Sequence, residues 1–253
     1  MRLIFTSFLA FLIIASLTER AFGEGLDENW KFGNKTTLNL TILTGNSEST
    51  TIGGNEKFTA KRERVTNTLT GGVLYVRNHL FNDAVPAKTT DRNIFAKDKV
   101  RWDFYKRTFA YFGGGWLTNR TSGVDQQFNG FAGMGYRLIA LARHTLDLEG
   151  GYRFNHRYDI APFPDEGSTQ NAALGLDYLW QMTDKSSLEN EADYIFDMAN
   201  PGQSRLASRT EMQVEIVKHL TLSFGFQLDF DNHPVPTFLK LNTVSTTGLN
   251  VIF

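Results

Sequence analysis

The chain has 253 residues, a formal net charge of −1 and no cysteine. Near-neutral charge gives no electrostatic case for nucleic acid, and the missing thiols exclude a disulfide framework or a thiolate metal site. The length allows one or two domains.

In chain order, the first element is a targeting segment. Met1-Arg2 is a short positive start, Leu3 to Leu17 is nearly all apolar, and Ala21-Phe22-Gly23 puts small residues where a signal peptidase reads. The apolar run is about fifteen residues, short of the roughly twenty that a spanning helix needs. Residues 1–23 are therefore expected to be a cleaved signal peptide, residues 24–34 a periplasmic lead-in, and residues 35–253 one folded unit.

Period-two alternation then recurs to the end of the chain. The segments are 35–44, 50–62, 65–79, 93–104, 108–119, 128–138, 145–155, 169–181, 186–197, 205–217, 220–231 and 240–253. In the eleventh, Leu220, Leu222, Phe224, Phe226, Leu228 and Phe230 face one way, opposite Thr221, Ser223, Gly225, Gln227 and Asp229. Residues 145–155 set Leu146, Leu148, Tyr152 and Phe154 against Asp147, Glu149, Arg153 and Asn155. A helix would need apolar spacing of three and four, which these segments lack.

The links alternate as well. Glu63-Arg64, Tyr105 to Arg107, Thr183 to Lys185 and Lys218-His219 are short, whereas 80–92, 120–127, 156–168, 198–204 and 232–239 are long and turn-rich. Two links fit less well: Gly45 to Ser49 is short for a loop, and 139–144 is long for a turn. Strands of this length and link pattern predict an all-β transmembrane up-and-down antiparallel barrel of about twelve strands in a bacterial outer membrane. Both termini and the short turns are expected in the periplasm, with the long loops outside. Trp102, Trp180 and Tyr136 fall where an interfacial aromatic girdle belongs. Glu56 and Asp98 violate strict alternation by pointing at lipid, and a β-bulge that resets the register is the expected remedy. The final strand carries Thr246, Gly248, Val251 and a terminal Phe253. That spacing resembles the C-terminal signal of outer-membrane barrels, with Val251 where an aromatic is commoner.

Three stretches carry a wider resemblance: the opening TLNLTILTGNSEST with Thr44-Gly45-Asn46, the central GFAGMGYRL at 130–138, and the last strand ending in Phe253. With them the mature chain resembles the YdiY-like family of salt-induced outer-membrane proteins. The resemblance implies a barrel in that membrane and carries over no catalytic residue.

Candidate chemistry is sparse. Gly113-Gly114-Gly115 and Gly130, Gly133 and Gly135 precede no helix, so they are expected to admit close side chains or bending, not a nucleotide. His79, His144, His156, His219 and His233 show no metal-ligand spacing. Asp231 and His233 form an Asp-x-His pair at a strand rim, as in outer-membrane aspartyl-type proteases, but no matching Asp-x-Asp accompanies them. No cofactor, metal or catalytic residue is expected.

The interior is more informative. Alternation turns Glu189, Glu191, Asp193, Asp197, Glu211, Glu215, Asp229 and Asp231 inward from the ninth to eleventh segments, and Lys97, Lys99 and Arg101 inward from the fourth. Arg137, Arg153, Arg205 and Arg209 are scattered among them. Two readings stand. One is a narrow, porin-like channel for small polar solutes, with acids outnumbering bases and hence a mild cation preference. The other is a structural or stress-related envelope barrel whose lumen is plugged by ion pairs; a hydrolase ranks third. The expected partners are outer-membrane lipid, periplasmic chaperones and the barrel-assembly machinery during biogenesis, and small polar solutes.

Overall fold

The computed structural model describes residues 30–43, 47–80, 88–119, 124–159, 166–200, 202–233 and 240–252. The expected signal peptide, residues 24–29, the Thr44-Gly45-Asn46 link and Phe253 lie outside the described residues. The strands are β1 (Lys31–Leu43), β2 (Ser47–Arg62), β3 (Val65–Leu80), β4 (Lys88–Tyr105), β5 (Thr108–Asn119) and β6 (Val124–Ala140). They continue as β7 (His144–Asp159), β8 (Glu166–Thr183), β9 (Ser186–Asp197), β10 (Ser204–Val217), β11 (Leu220–Asp231) and β12 (Leu241–Ile252). Each strand pairs antiparallel with its chain neighbours, and β1 pairs with β12 to close the barrel.

Several strands outrun the alternating segments. β1 starts at Lys31, four residues before the expected start, and β4 starts at Lys88, well before 93. Backbone pairing needs no apolar side chain, so ladders continue past the alternating stretch. Links at one end are tight. Glu63 and His219 adopt positive φ of 49° and 70°, each within a two-residue link. The link expected to be long, 139–144, shrinks to three residues because Leu141 and His144 pair through their backbones.

The barrel is apolar outside. Phe112, Leu174 and Met134 are more than half exposed, and the even-numbered face of β11 follows the same rule. Trp102, Trp180 and Tyr136 all point outward near the short-turn end, as the girdle requires. The ring of His144 stacks on Trp180 at 5.7 Å, and its Nδ1 lies 2.9 Å from the Tyr178 hydroxyl.

Glu56 and Asp98 correct one expectation. No bulge interrupts the ladders β2–β3 or β3–β4, so both acids stay on the outer face. Each is instead held by a polar side chain of an adjacent strand. Thr36 Oγ1 donates to Glu56 Oε2 at 2.7 Å, and Asn67 Nδ2 donates to Asp98 Oδ1 at 2.8 Å.

The last strand is locked by small groups. Thr246 opposes Gly225, where a Cβ would meet Thr246 Oγ1 at 2.5 Å. The carbonyl of Gly248 accepts from Ser223 Oγ at 3.3 Å, and Val251 pairs with Thr36 and Leu220. Among the described residues the β1–β12 seam runs from Lys35 opposite Ile252 to Asn39 opposite Gly248, whereas β1 pairs with β2 along its whole length.

Candidate functional site: a charged lumen with an aromatic shelf

The interior holds a cavity of about 560 Å³. Ten of the fifteen charges expected in the lumen line it: Lys97, Lys99 and Arg101 on β4; Arg137 on β6; Arg153 on β7; Glu189, Glu191 and Asp193 on β9; Arg209 and Glu211 on β10. The other five share the inward parity but stand nearer the strand ends. Asp197, Arg205, Asp229 and Asp231 are toward the long loops, and Glu215 is toward the turns.

Sequence patterning missed a shelf of rings across β5 and β6. Phe109, Tyr111 and Phe131 are buried inside the barrel, with neighbouring centroids 6.5 and 6.3 Å apart. Inward glycines make the room. A Cβ at Gly135 would collide with Phe109, one at Gly133 or Gly151 with Tyr111, and one at Gly113 with Phe131. The glycine-rich segments thus do admit close side chains, although Gly114 and Gly130 have the opposite parity and face outward.

Each ring carries a cation from β4. The Arg101 guanidinium lies 3.5 Å from the Phe109 centroid, Lys99 Nζ 4.8 Å from Tyr111, and Lys97 Nζ 5.4 Å from Phe131. The i, i+2 spacing of these cations matches the spacing of Phe109 and Tyr111 on β5. Cation–π contacts of this kind contribute about 0.5–2 kcal/mol, more where water is excluded.

Two of these cations are also neutralised from β7. Arg101 Nη1 donates to Asp147 Oδ2 at 2.6 Å, and the same carboxylate accepts from Arg137 Nε and Nη2 at 2.8 and 2.9 Å. Arg101 additionally meets Asp103 at 2.9 Å. Lys99 Nζ donates to both oxygens of Glu149 at 2.6 and 2.8 Å, with Asp177 at 4.0 Å. Elsewhere Arg153 meets Asp193 at 3.6 Å, and Glu211 is shared by Lys35 at 3.0 Å and Arg209 at 2.8 Å. The turn-side half of the shelf is therefore a closed ion-pair network.

Other charges lining the cavity have no ion-pair partner among the described residues. They are Lys57 and Lys61 on β2, Lys97 on β4, and Glu189 and Glu191 on β9. In a ring of twelve strands, β9 is opposite β3, so the two signs face each other. Nine basic side chains and seven carboxylates line the cavity, and toward the barrel ends stand four further acids, Asp197, Glu215, Asp229 and Asp231, with one base, Arg205, so the two signs are close to balance.

The Asp231–His233 pair is a turn device. Asp231 Oδ1 accepts from the backbone N–H of His233 at 2.9 Å, and Oδ2 lies 3.3 Å from Arg205 Nε. Both carboxylate oxygens are thus engaged, by a backbone amide and a cation.

Residues 36–253 match the family described as "Protein of unknown function, DUF481". No curated protein is similar enough in sequence to match the chain. Among solved structures, the fold is similar to the translocator domain of the autotransporter NalP from Neisseria meningitidis. The TM-score is 0.50 at 16% identity, over 98% of this chain and 97% of that one. It is also similar to the COG4313 outer membrane channel from Pseudomonas putida F1, with a TM-score of 0.51 at 12% identity, over 91% of this chain and 97% of that one. At such identities the likeness is one of fold: a closed twelve-strand barrel of the outer-membrane type.

Proposed function

Because the chain belongs to the DUF481 family, whose description assigns no activity, we propose from its lumen that it is a narrow conduit for small polar solutes across the outer membrane. One observation carries this reading. Lys57, Lys61, Glu189 and Glu191 face a cavity of about 560 Å³ without ion-pair partners among the described residues. Stranding unpaired charges away from water costs several kcal/mol each, so the cavity must be wet. A wet, charged lumen inside a closed barrel is the material of a selective pore. Its volume falls within the range of small-molecule sites, about 300–1,000 Å³.

In this reading the termini and tight turns lie in the periplasm, the long loops lie outside, and lipid and the assembly machinery are the partners in the envelope. No enzymatic role is proposed, since Asp231 is held by Arg205 and by a backbone amide. The finer kinship with YdiY-like salt-induced proteins is proposed on TLNLTILTGNSEST, GFAGMGYRL and the last strand ending in Phe253.

Single-channel recording on protein refolded into a planar bilayer tests the conduit. Small, discrete current steps are expected, with ion selectivity close to neutral. Replacing Glu189, Glu191 and Asp193 by glutamine should shift the reversal potential toward anions, most clearly at low salt where screening is weak. A silent bilayer would favour the second reading, a sealed envelope barrel, for which the Arg101–Asp147–Arg137 and Lys99–Glu149 pairs already supply one closed region.

A further inference from the structure

β3 presents Thr66, Thr68 and Thr70 at successive inward positions, and cross-strand register sets a cation beside each. Thr66 lies between Lys61 and Arg101, Thr68 has Lys99 on one side, and Thr70 lies between Lys57 and Lys97. Lys99 and Arg101 are drawn away to carboxylates of β7. Lys57, Lys61 and Lys97 are not: their side chains are exposed to the lumen, and Lys97 lies over the Phe131 ring with no ion-pair partner among the described residues.

Among the described residues no carboxylate pairs with Lys57, Lys61 or Lys97. On this wall Asp103 is taken by Arg101, and Glu56 and Asp98 face the outside of the barrel. Neighbouring strands lie about 4.8 Å apart, so Lys57 and Lys97 flank Thr70 at about 10 Å between Cα atoms. Two flexible ammonium groups at that separation can close on one small anion resting over the hydroxyl between them. The carboxylates Glu189 and Glu191 on the opposite wall repel such an anion and keep it on this side.

We propose that the Lys57–Thr70–Lys97 rung, with Lys61 and Thr66 one rung nearer the turns, is a binding subsite for the oxyanion of a small solute, a phosphate or a carboxylate. This deepens the conduit reading by naming the substrate class, and it rests on that reading only in requiring a wet lumen.

The test uses the refolded mature protein in detergent at low salt. It is titrated with inorganic phosphate and, separately, acetate by calorimetry, while the same anions are added to the bilayer recording. Saturable millimolar binding is expected. Lys57→Gln and Lys97→Gln should each weaken it by about tenfold, the loss of one charge-assisted hydrogen bond. Lys106→Gln, in a turn outside the cavity, should leave it unchanged. Thr70→Val provides a second route should a lysine variant fail to fold, and a several-fold loss is expected there too. Binding of phosphate alone identifies a phosphate-bearing solute, binding of acetate alone a carboxylate, and binding of both an oxyanion subsite open to either. Absence of saturable binding, or equal weakening by Lys106→Gln, overturns the subsite. Binding without current would remove the conduit and leave the subsite standing; current without binding would do the reverse.

Discussion

Gly135 shows how a single missing side chain shapes the lumen. Its absent Cβ is the space into which the fully buried Phe109 ring fits, and Arg101 holds that ring at 3.5 Å. Gly135→Ala therefore forces the ring out of a site where it has no slack, at a cost of about 1–3 kcal/mol for overpacking. The unfolding midpoint in urea, followed by gel mobility of the refolded barrel, should fall. Gly130→Ala, facing open space on the outer side, should leave it unchanged. Equal midpoints would mean that the ring is free to move. The sequence carried only part of this. Alternation turns Gly133 and Gly135 to one face, but nothing in TFAYFGGGWLTN tells which of Phe109, Tyr111 and Phe112 faces inward. Apolar residues there stand on both parities, and only the pairing of β5 with its neighbours settles the choice.

At the level of the strand, β2 and β4 show where alternation succeeds and where it blurs. Apart from Asp98, β4 reads cleanly, and Lys97, Lys99 and Arg101 all line the cavity. On β2 the same alternation that turns Glu56 outward turns Asn55, Lys57 and Lys61 inward, a series as regular as that of β4. A carboxylate on the lipid face is destabilising, though less so than a lysine. Asp98→Asn keeps an oxygen for Asn67 while removing the charge, so it should match or exceed the wild-type urea midpoint. Asp98→Lys should lower stability by about 2 kcal/mol, within the range for a base near the bilayer midplane. A clear loss in Asp98→Asn would sink the view that this face meets lipid.

The whole molecule is a cylinder whose backbone hydrogen bonds close on themselves, leaving no free sheet edge for detergent to enter. Unheated protein in SDS should thus migrate differently from boiled protein, and it should fractionate with the outer membrane. Identical mobility, or recovery in the soluble periplasm, would contradict the barrel. That much was legible from segment count, link lengths and aromatic placement. The interior was legible only as a set of inward charges, because which cation meets which acid depends on the curvature that brings β4 beside β7 across two intervening strands.

The short β1–β12 seam also dictates an order of events in time. Every other pairing joins segments adjacent in the chain, across a tight turn or a loop of a few residues, but the seam must bring Lys35 to Ile252. Closing a loop of that length from a disordered chain costs about 5 kcal/mol in configurational entropy, and the few pairs of the seam repay little of it. If the eleven hairpins form first, the curved sheet has already brought the two ends together and most of that entropy has been lost in small local steps. Closure is then the last event of folding, and breaching the seam is the first event of unfolding.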